Sequence, residues 1–293
     1  MTTSGVSALA DVRRVLRRHA HSLRRDLPWI ACADPWAILV SEVMLQQTQT
    51  SRVLEPWKRF VARFPTPEAC ALAPLDEVLR AWEGLGYHRR AKNLWRSARE
   101  ITERFGGEVP RSIHELRSLP GVGPYTASAV ASFAFDQRVA VLDTNAGRVL
   151  ARCVANRELT SAEAKRLAHE LLPRDRVASF NQAVLDLGAQ FCRSRPRCET
   201  CALRAVCRWH LEGGEDPAPG SAAVSKAQAP FAGSRRQLRG QLLAALRDGP
   251  HTEAALVALV SAHFTGDVSS VLGDLERDGL LEWRSSRWHL ART

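Results

Sequence analysis

The chain has 293 residues, 45% of them hydrophobic and 25% charged, the balance of a folded, water-soluble protein. No run of about 18 apolar residues exists, so no membrane-crossing helix is expected. The basic N-terminus lacks the apolar stretch of a secretory signal, so a cytoplasmic protein is expected. With 41 Lys and Arg against 31 Asp and Glu the net charge is +10, and an anionic partner is expected, nucleic acid above all.

In chain order, helical periodicity first covers 8–25 and breaks at Pro28 and at Ala33–Pro35. There Asp34 is placed to cap the next helix, with Pro35 at its first position. Helices are expected over 36–48, 51–63, 74–83, 88–105 and 112–119, punctuated by Pro65–Thr66–Pro67 and Gly106–Gly107. Others follow at 124–135, 144–155, 161–172 and 178–190. Sustained alternation is missing here, so residues 1–210 read as an all-α domain. Gly213–Gly214, Pro217 and Pro219–Gly220 mark 211–233 as a flexible linker.

Residues 234–293 form a second pattern. Leu238, Leu242 and Leu246 make one helical face; Leu256, Leu259 and Val260 a second; Val268, Val271, Leu272 and Leu275 a third. A turn at Ser285–Ser286 would close a hairpin pairing Trp283 with Trp288 and Leu281 with Leu290. Three helices and a hairpin predict a winged-helix-like module, suited either to DNA or to a protein partner.

Three motifs carry chemistry. In Leu119–Ala127 a helix, the glycine turn Gly121-Val122-Gly123 and a helix opened by Pro124 form a helix–hairpin–helix over 112–135. Glycines let the backbone approach a phosphate closely, and the helix start offers N–H groups and the positive end of a dipole. Glu42 shares a helical face with Ile38 and Leu45, and burial there would favour its protonated form, as a general acid needs. Asp143 follows the apolar run Val139–Leu142 and stands as N-cap before Thr144-Asn145. An ionised carboxylate there could face a developing cation. One protonated and one ionised carboxyl are the usual pair for cleaving a glycosidic bond.

Cys192, Cys198, Cys201 and Cys207 lie within sixteen residues in a C-x5-C-x2-C-x5-C pattern among arginines. A thiolate set this dense fits an iron–sulfur cluster or zinc, and its spacing is unlike that of a zinc ribbon. Cys32, Cys70 and Cys153 are scattered and read as small buried hydrophobes.

The segments S-E-V-M-L-Q-Q-T at 41–48, G-L-G-Y at 84–87, L-P-G-V-G-P-Y-T-A at 119–127, V-L-D-T-N at 141–145 and the four-cysteine loop at 192–207 occur in that order. Together, over roughly 8–210, they resemble the adenine DNA glycosylases of MutY type in the helix–hairpin–helix superfamily. The resemblance implies base flipping in mispaired double-stranded DNA, with Glu42 protonating adenine at N7 and Asp143 stabilising the sugar cation. It places Asn145 and Tyr125 near the sugar, Trp29, Leu45 and Gln182 around the base, and Gln47 and Tyr87 as wedges in the opposite stack. Gly121, Val122 and Gly123 would grip the DNA backbone, and the four cysteines would hold a [4Fe–4S] cluster. Endonuclease III-like bifunctional relatives carry at the Tyr125 position a lysine that forms a Schiff base. A phenol cannot do so, so a monofunctional enzyme leaving an abasic site is expected. A monomer at the nucleoid is expected.

The chain departs from that family in three places. Five residues, not six, separate the first two cysteines; Ile30 stands where arginine is usual; and 234–293 is too short for the family's Nudix-like domain. Two alternatives therefore stay open: a glycosylase for another mispaired base such as thymine, or a non-catalytic iron–sulfur DNA-binding regulator.

Overall fold

A computed structural model describes residues 3–224, 230–260 and 267–293. In chain order the helices are α1 (Thr3–Leu23), α2 (Pro35–Leu45), α3 (Thr50–Arg63), α4 (Pro67–Leu72), α5 (Leu75–Ala81), α6 (Arg89–Phe105), α7 (Ile113–Ser118) and α8 (Pro124–Phe135). They continue as α9 (Thr144–Val149), α10 (Ser161–Leu171), α11 (Val177–Gln190), α12 (Arg208–Glu212), α13 (Arg235–Asp248), α14 (Glu253–Val260) and α15 (Val268–Arg277). Strands β1 (Leu281–Arg284) and β2 (Arg287–Leu290) follow. Among the described residues no helix is long and apolar enough to cross a membrane.

Helix starts obey their local chemistry. Asp34 accepts the N–H groups of Trp36 and Ala37 as the sequence implies. Thr66 accepts from Ala69 at 3.2 Å with Pro67 at the first helical position, so Pro65–Thr66–Pro67 is the start of α4 rather than punctuation alone. Thr160 and Glu163 close a reciprocal capping box at α10.

Two compact units result, with boundaries other than 210 and 234. The first is Met1–Ile38, Arg111–Ile113 and Gly123–Ala227; the second is Leu39–Pro110, His114–Val122 and Gln228–Thr293. In the first, Leu9, Val12 and Leu16 form the apolar stripe of α1 and join one core with Val149, Leu167, Phe180, Ala183 and Leu187. Residues 150–155 continue α9 as a π-helix that stops at Asn156, whose φ is +49°. Such insertions re-aim side chains and gather at functional places.

The expected flexible linker is corrected over part of its length. Asp216 pairs with buried Arg152 at 2.6 Å, Ser221 Oγ accepts the Leu159 N–H at 3.1 Å, and the Ala222 N–H donates to the Leu159 carbonyl at 2.9 Å. Ala218 is 1% exposed. Small residues that suggest flexibility here fit closely against the first unit. Residues 225–229 of that expected linker lie outside the described residues.

In the second unit Phe60, Leu79, Trp82, Leu94 and Ile101 are fully buried, with Phe60 edge-on to Trp82 at 5.8 Å. The hairpin has the expected register, Leu281 opposite Leu290 and Trp283 opposite Trp288. Ser285 and Ser286 both take positive φ, as a tight two-residue turn demands. Leu256 and Val260 are buried as expected, but Leu259 is exposed. The tail is fastened within this unit: the Leu75 N–H donates to the Arg292 carbonyl at 3.1 Å, and Lys92 Nζ to the Asp278 carbonyl at 3.0 Å.

Candidate active site

The residues singled out from sequence divide between the units. Trp29, Gly123, Tyr125, Asp143, Asn145, Gln182 and the four cysteines are in the first; Glu42, Leu45, Gln47, Tyr87, Gly121 and Val122 are in the second.

In the first unit Asp143 is the N-cap of α9, accepting the Ala146 N–H at 2.8 Å, while Asn145 Nδ2 donates to its other oxygen at 2.6 Å. Arg148, one turn on, donates to Asn145 Oδ1 at 2.6 Å and through Nε to the Cys192 carbonyl at 2.6 Å. One chain of hydrogen bonds therefore runs from the capping carboxylate to the first cysteine. Gly188 makes this packing possible: a Cβ there would lie 2.7 Å from the Asn145 carbonyl oxygen. Burial pushes the Asp143 carboxyl above the ordinary carboxylate range, opposed by the Ala146 N–H, the Asn145 amide and Arg148. The expected anion thus has partners that favour it and surroundings that do not.

The approach to Asp143 is set by Asn181. Its Nδ2 donates to the Val139 carbonyl and to Ser132 Oγ at 2.8 Å each, fixing the extended segment before the cap. Nearby in sequence, Gln182 Nε2 donates to Asp186 Oδ1 at 2.9 Å, and the wholly buried Asp186 carboxylate also binds Arg25 Nε at 2.5 Å. Trp29 is buried in a single 3-10 turn, Pro28–Ile30, and Tyr125 packs half-buried against the core on the first turn of α8.

The cysteines meet at one cavity, lined by Cys192, Cys198, Cys201 and Cys207 and by a fifth thiol, Cys153. Cys153 comes from the π-helix and hydrogen-bonds with both Cys192 and Cys207, so it is more than the inert buried hydrophobe expected. Arg152, its neighbour, donates to the Arg193 carbonyl at 2.6 Å and pairs with Asp216. Among the described residues no three of these groups gather tightly enough to share a single metal ion. Four thiols lining one cavity are a donor set that could hold an iron–sulfur cluster.

In the second unit Glu42 is 5% exposed, on a helix whose Leu39, Val40, Val43 and Met44 are all buried. At its last position Leu45 is half-buried, and past its end Gln47 is exposed. Gln47 (φ +56°) and Tyr87 (φ +47°) both occupy the left-handed region, which bulky residues enter only where surrounding contacts hold them. The holder is Arg90. One guanidinium nitrogen donates to the carbonyls of Val43, Met44 and Gln46 at 3.0, 2.7 and 2.5 Å. The other serves Thr48 Oγ1 at 3.0 Å and the Leu85 and Gly86 carbonyls at 3.1 Å each. Burial lowers the Arg90 pKa to about 10, which leaves it charged at neutral pH.

The hairpin glycines differ from each other. Gly121 has φ +77°, and a Cβ there would sit 2.8 Å from Asn93 Cβ, so only glycine fits. Its carbonyl accepts from Gln46 at 3.3 Å, and buried Val122 closes the turn onto the Leu119 carbonyl at 3.1 Å. Gly123, the N-cap of α8, faces open space.

Arg90, Arg148 and Asn181 were not singled out from sequence, and Cys153 only as a small buried hydrophobe. Arg148 could have been, lying three residues after Asn145 on a helix. Arg90 offers no local signal for its hold on the end of α2, since those acceptors lie 44–47 residues away.

Residues 40–174 match the family described as HhH-GPD superfamily base excision DNA repair protein. An adenine DNA glycosylase of Mycobacterium tuberculosis is 44% identical over 267 residues, covering 88% of this chain and 83% of the relative. That share exceeds what residues before 234 could supply, so the similarity enters the tail. A thymine-DNA glycosylase of Aeropyrum pernix is 37% identical over 195 residues, covering 64% of this chain and 87% of its own. Among solved structures, a thermostable thymine-DNA glycosylase superposes with TM-score 0.64 at 28% identity, covering 70% of this chain and 98% of that one. A trapped endonuclease III–DNA covalent intermediate gives TM-score 0.61 at 26% identity, over 72% and 99%.

Proposed function

We propose a function from one settled point: the chain belongs to the HhH-GPD superfamily of base excision DNA repair proteins, within its adenine DNA glycosylase family. On that premise the chain is a monofunctional glycosylase, acting as a monomer on double-stranded DNA. It hydrolyses the bond between C1′ and N9 of adenine mispaired with guanine or 8-oxoguanine. The observation that carries this reading is Glu42, a carboxyl 5% exposed in an apolar helix of a chain with net charge +10. A protein that merely held DNA would gain nothing from a carboxyl placed there.

The mechanism is the one that the family resemblance implies, laid onto these residues. Extruding the adenine costs a few kcal/mol, least at a mispair. Trp29, Leu45 and Gln182 receive the base, Gln182 with its amide oriented by Asp186. Glu42 gives its proton to adenine N7, so the electron pair of the breaking bond leaves with a neutral base. The positive charge left at C1′ is met by Asp143, held towards the sugar by its own helix cap and by Asn145, with Tyr125 beside it. Water then attacks C1′ and its proton passes to a carboxylate. Tyr125 supplies no amine, so no imine forms and the strand is not nicked.

Cys192, Cys198, Cys201 and Cys207 would hold a [4Fe–4S] cluster, which when bound supplies a fixed centre for the arginine-rich loop rather than a reactant. Arg148 and Arg152 tie that loop to α9 and the π-helix through the Cys192 and Arg193 carbonyls. Gly121, Val122 and Gly123 grip phosphate.

A single-turnover assay on duplexes carrying A opposite G, 8-oxoguanine, C or T tests the reading. Free adenine with an intact strand at an abasic site is expected from the first two. Efficient borohydride trapping of a covalent adduct would remove the monofunctional assignment. Ile30 and the likeness to thymine-DNA glycosylases favour thymine as the second reading, and release of thymine from T opposite G in the same assay would establish it.

A further inference from the structure

Within the second unit the tail and the two loops bearing Gln47 and Tyr87 enclose a cleft of roughly 1080 Å³. Arg236, Arg239, Gly240, Leu243 and Arg247 line it, a single stripe of α13 recurring every three or four residues. Among the described residues lining the cleft are six arginines and one carboxylate, Asp278, which pairs with Arg239 and Arg89, while Arg247 pairs with Glu83 beyond the lining. Two aromatic side chains on its wall are exposed, Tyr87 at 37% and Phe231 at 59%. Arg236 Nη1 donates to Tyr87 Oη at 2.9 Å, so the tail already touches a residue of the wedge pair.

We propose that α13 is a second DNA-binding element. The cleft holds the strand opposite the extruded nucleotide, with its phosphates on Arg52, Arg236 and Arg239 and its unstacked base against Tyr87 and Phe231. A basic groove combined with exposed aromatic faces is how proteins hold unpaired strands, phosphate by charge and base by stacking. Extruding one nucleotide creates such a strand, since its partner loses its pair at that moment. The glycines at 84 and 86 and Gly240 leave open space where side chains would narrow the cleft. This assignment rests on the glycosylase reading for its ligand, but its surface is that of the tail.

The test uses the full chain and a labelled A·G duplex whose adenosine carries a 2′-fluorine, which disfavours the sugar cation and keeps the duplex intact. Hydroxyl-radical footprinting of each strand and anisotropy titration across salt are compared for wild type, Arg236→Ala/Arg239→Ala and Arg236→Lys/Arg239→Lys. The alanine pair is expected to bind at least about tenfold more weakly and to lower the salt slope by about two. Protection should be lost on the strand opposite the adenine alone, and the lysine pair should restore most of it. Unchanged protection of that strand, equal loss on both strands, or a lysine pair as defective as the alanine pair would overturn the assignment. Base release by wild type on an unmodified duplex is read separately. A chain that shows the strand-selective footprint yet frees no base keeps the cleft and loses the glycosylase reading. Base release with the opposite strand unprotected does the reverse.

Discussion

Arg148 in the first unit and Arg90 in the second each organise a region of the proposed machinery, by opposite means. Arg148 acts on a side chain, binding the Asn145 amide that in turn binds Asp143, and anchors itself on the Cys192 carbonyl. Arg90 donates almost wholly to backbone, five carbonyls and one hydroxyl drawn from the end of α2 and two loops, while its guanidinium lies over the Trp82 and Tyr87 rings. The first orients the capping carboxylate; the second fixes the shape of a surface. A guanidinium suits both tasks because its donors form a rigid planar fork, which an ammonium cannot reproduce. The difference predicts that damage to one arginine appears in chemistry and damage to the other in binding and folding.

The sharpest test removes the chemistry without touching either arginine. Glu42→Gln should slow base release by about 10²–10⁴-fold while duplex binding stays near wild type. Loss of binding to the same extent would reassign Glu42 to structure. Next, Arg90→Lys should destabilise the fold by about 2–4 kcal/mol in urea titrations, because buried carbonyls lose their donors. It should also weaken duplex binding through the freed Gln47 and Tyr87 loops. Arg148→Lys, by contrast, should slow base release with binding nearly intact. If both lysine variants fail in the same way, the contrast between the regions is wrong.

Two pH experiments refine it. His88, buried beside Arg247, Arg90 and Arg239, has its pKa lowered to about 4 by burial first and by those charges next. Its neutral form is the one that fits, so its contribution is complete above about 6.5 and is lost as pH falls towards 4. Wild type should lose up to roughly 3 kcal/mol across that window relative to His88→Gln. Equal slopes for the two proteins would place His88 in a wetter environment. Asp143 has the opposite sign: burial raises its pKa, so the stabilising form is the protonated one. That contribution is present below about 3.9 and is lost as pH rises through the raised folded value. Asp143→Asn, inactive but still able to cap α9, should therefore gain stability over wild type as pH rises, by the smallest margin of the set. A gap that shrinks instead would mean that Ala146 and Asn145 outweigh burial.

Much of the site was legible because its signals are short-range. A cap precedes its helix by one residue, the hairpin glycines are consecutive, and Ser285–Ser286 set the register of β1 and β2. Cys153 and the segment 216–222 were misread for one reason: each has its meaning in a neighbour far along the chain. Cys153 is defined by Cys192 and Cys207, and Asp216 by Arg152.

By itself the amino-acid order determined the helical class, the capping carboxylate, the four-thiol loop and the family, since periodicity, caps and motif spacing act over a few residues. Tertiary structure alone decided that one guanidinium holds the loops of both Gln47 and Tyr87, that a fifth thiol joins four, and that α13 lines the cleft beside those loops. Those outcomes depend on which distant groups share a dry space, where an unmet donor or an uncancelled charge costs several kcal/mol. No local pattern carries that information.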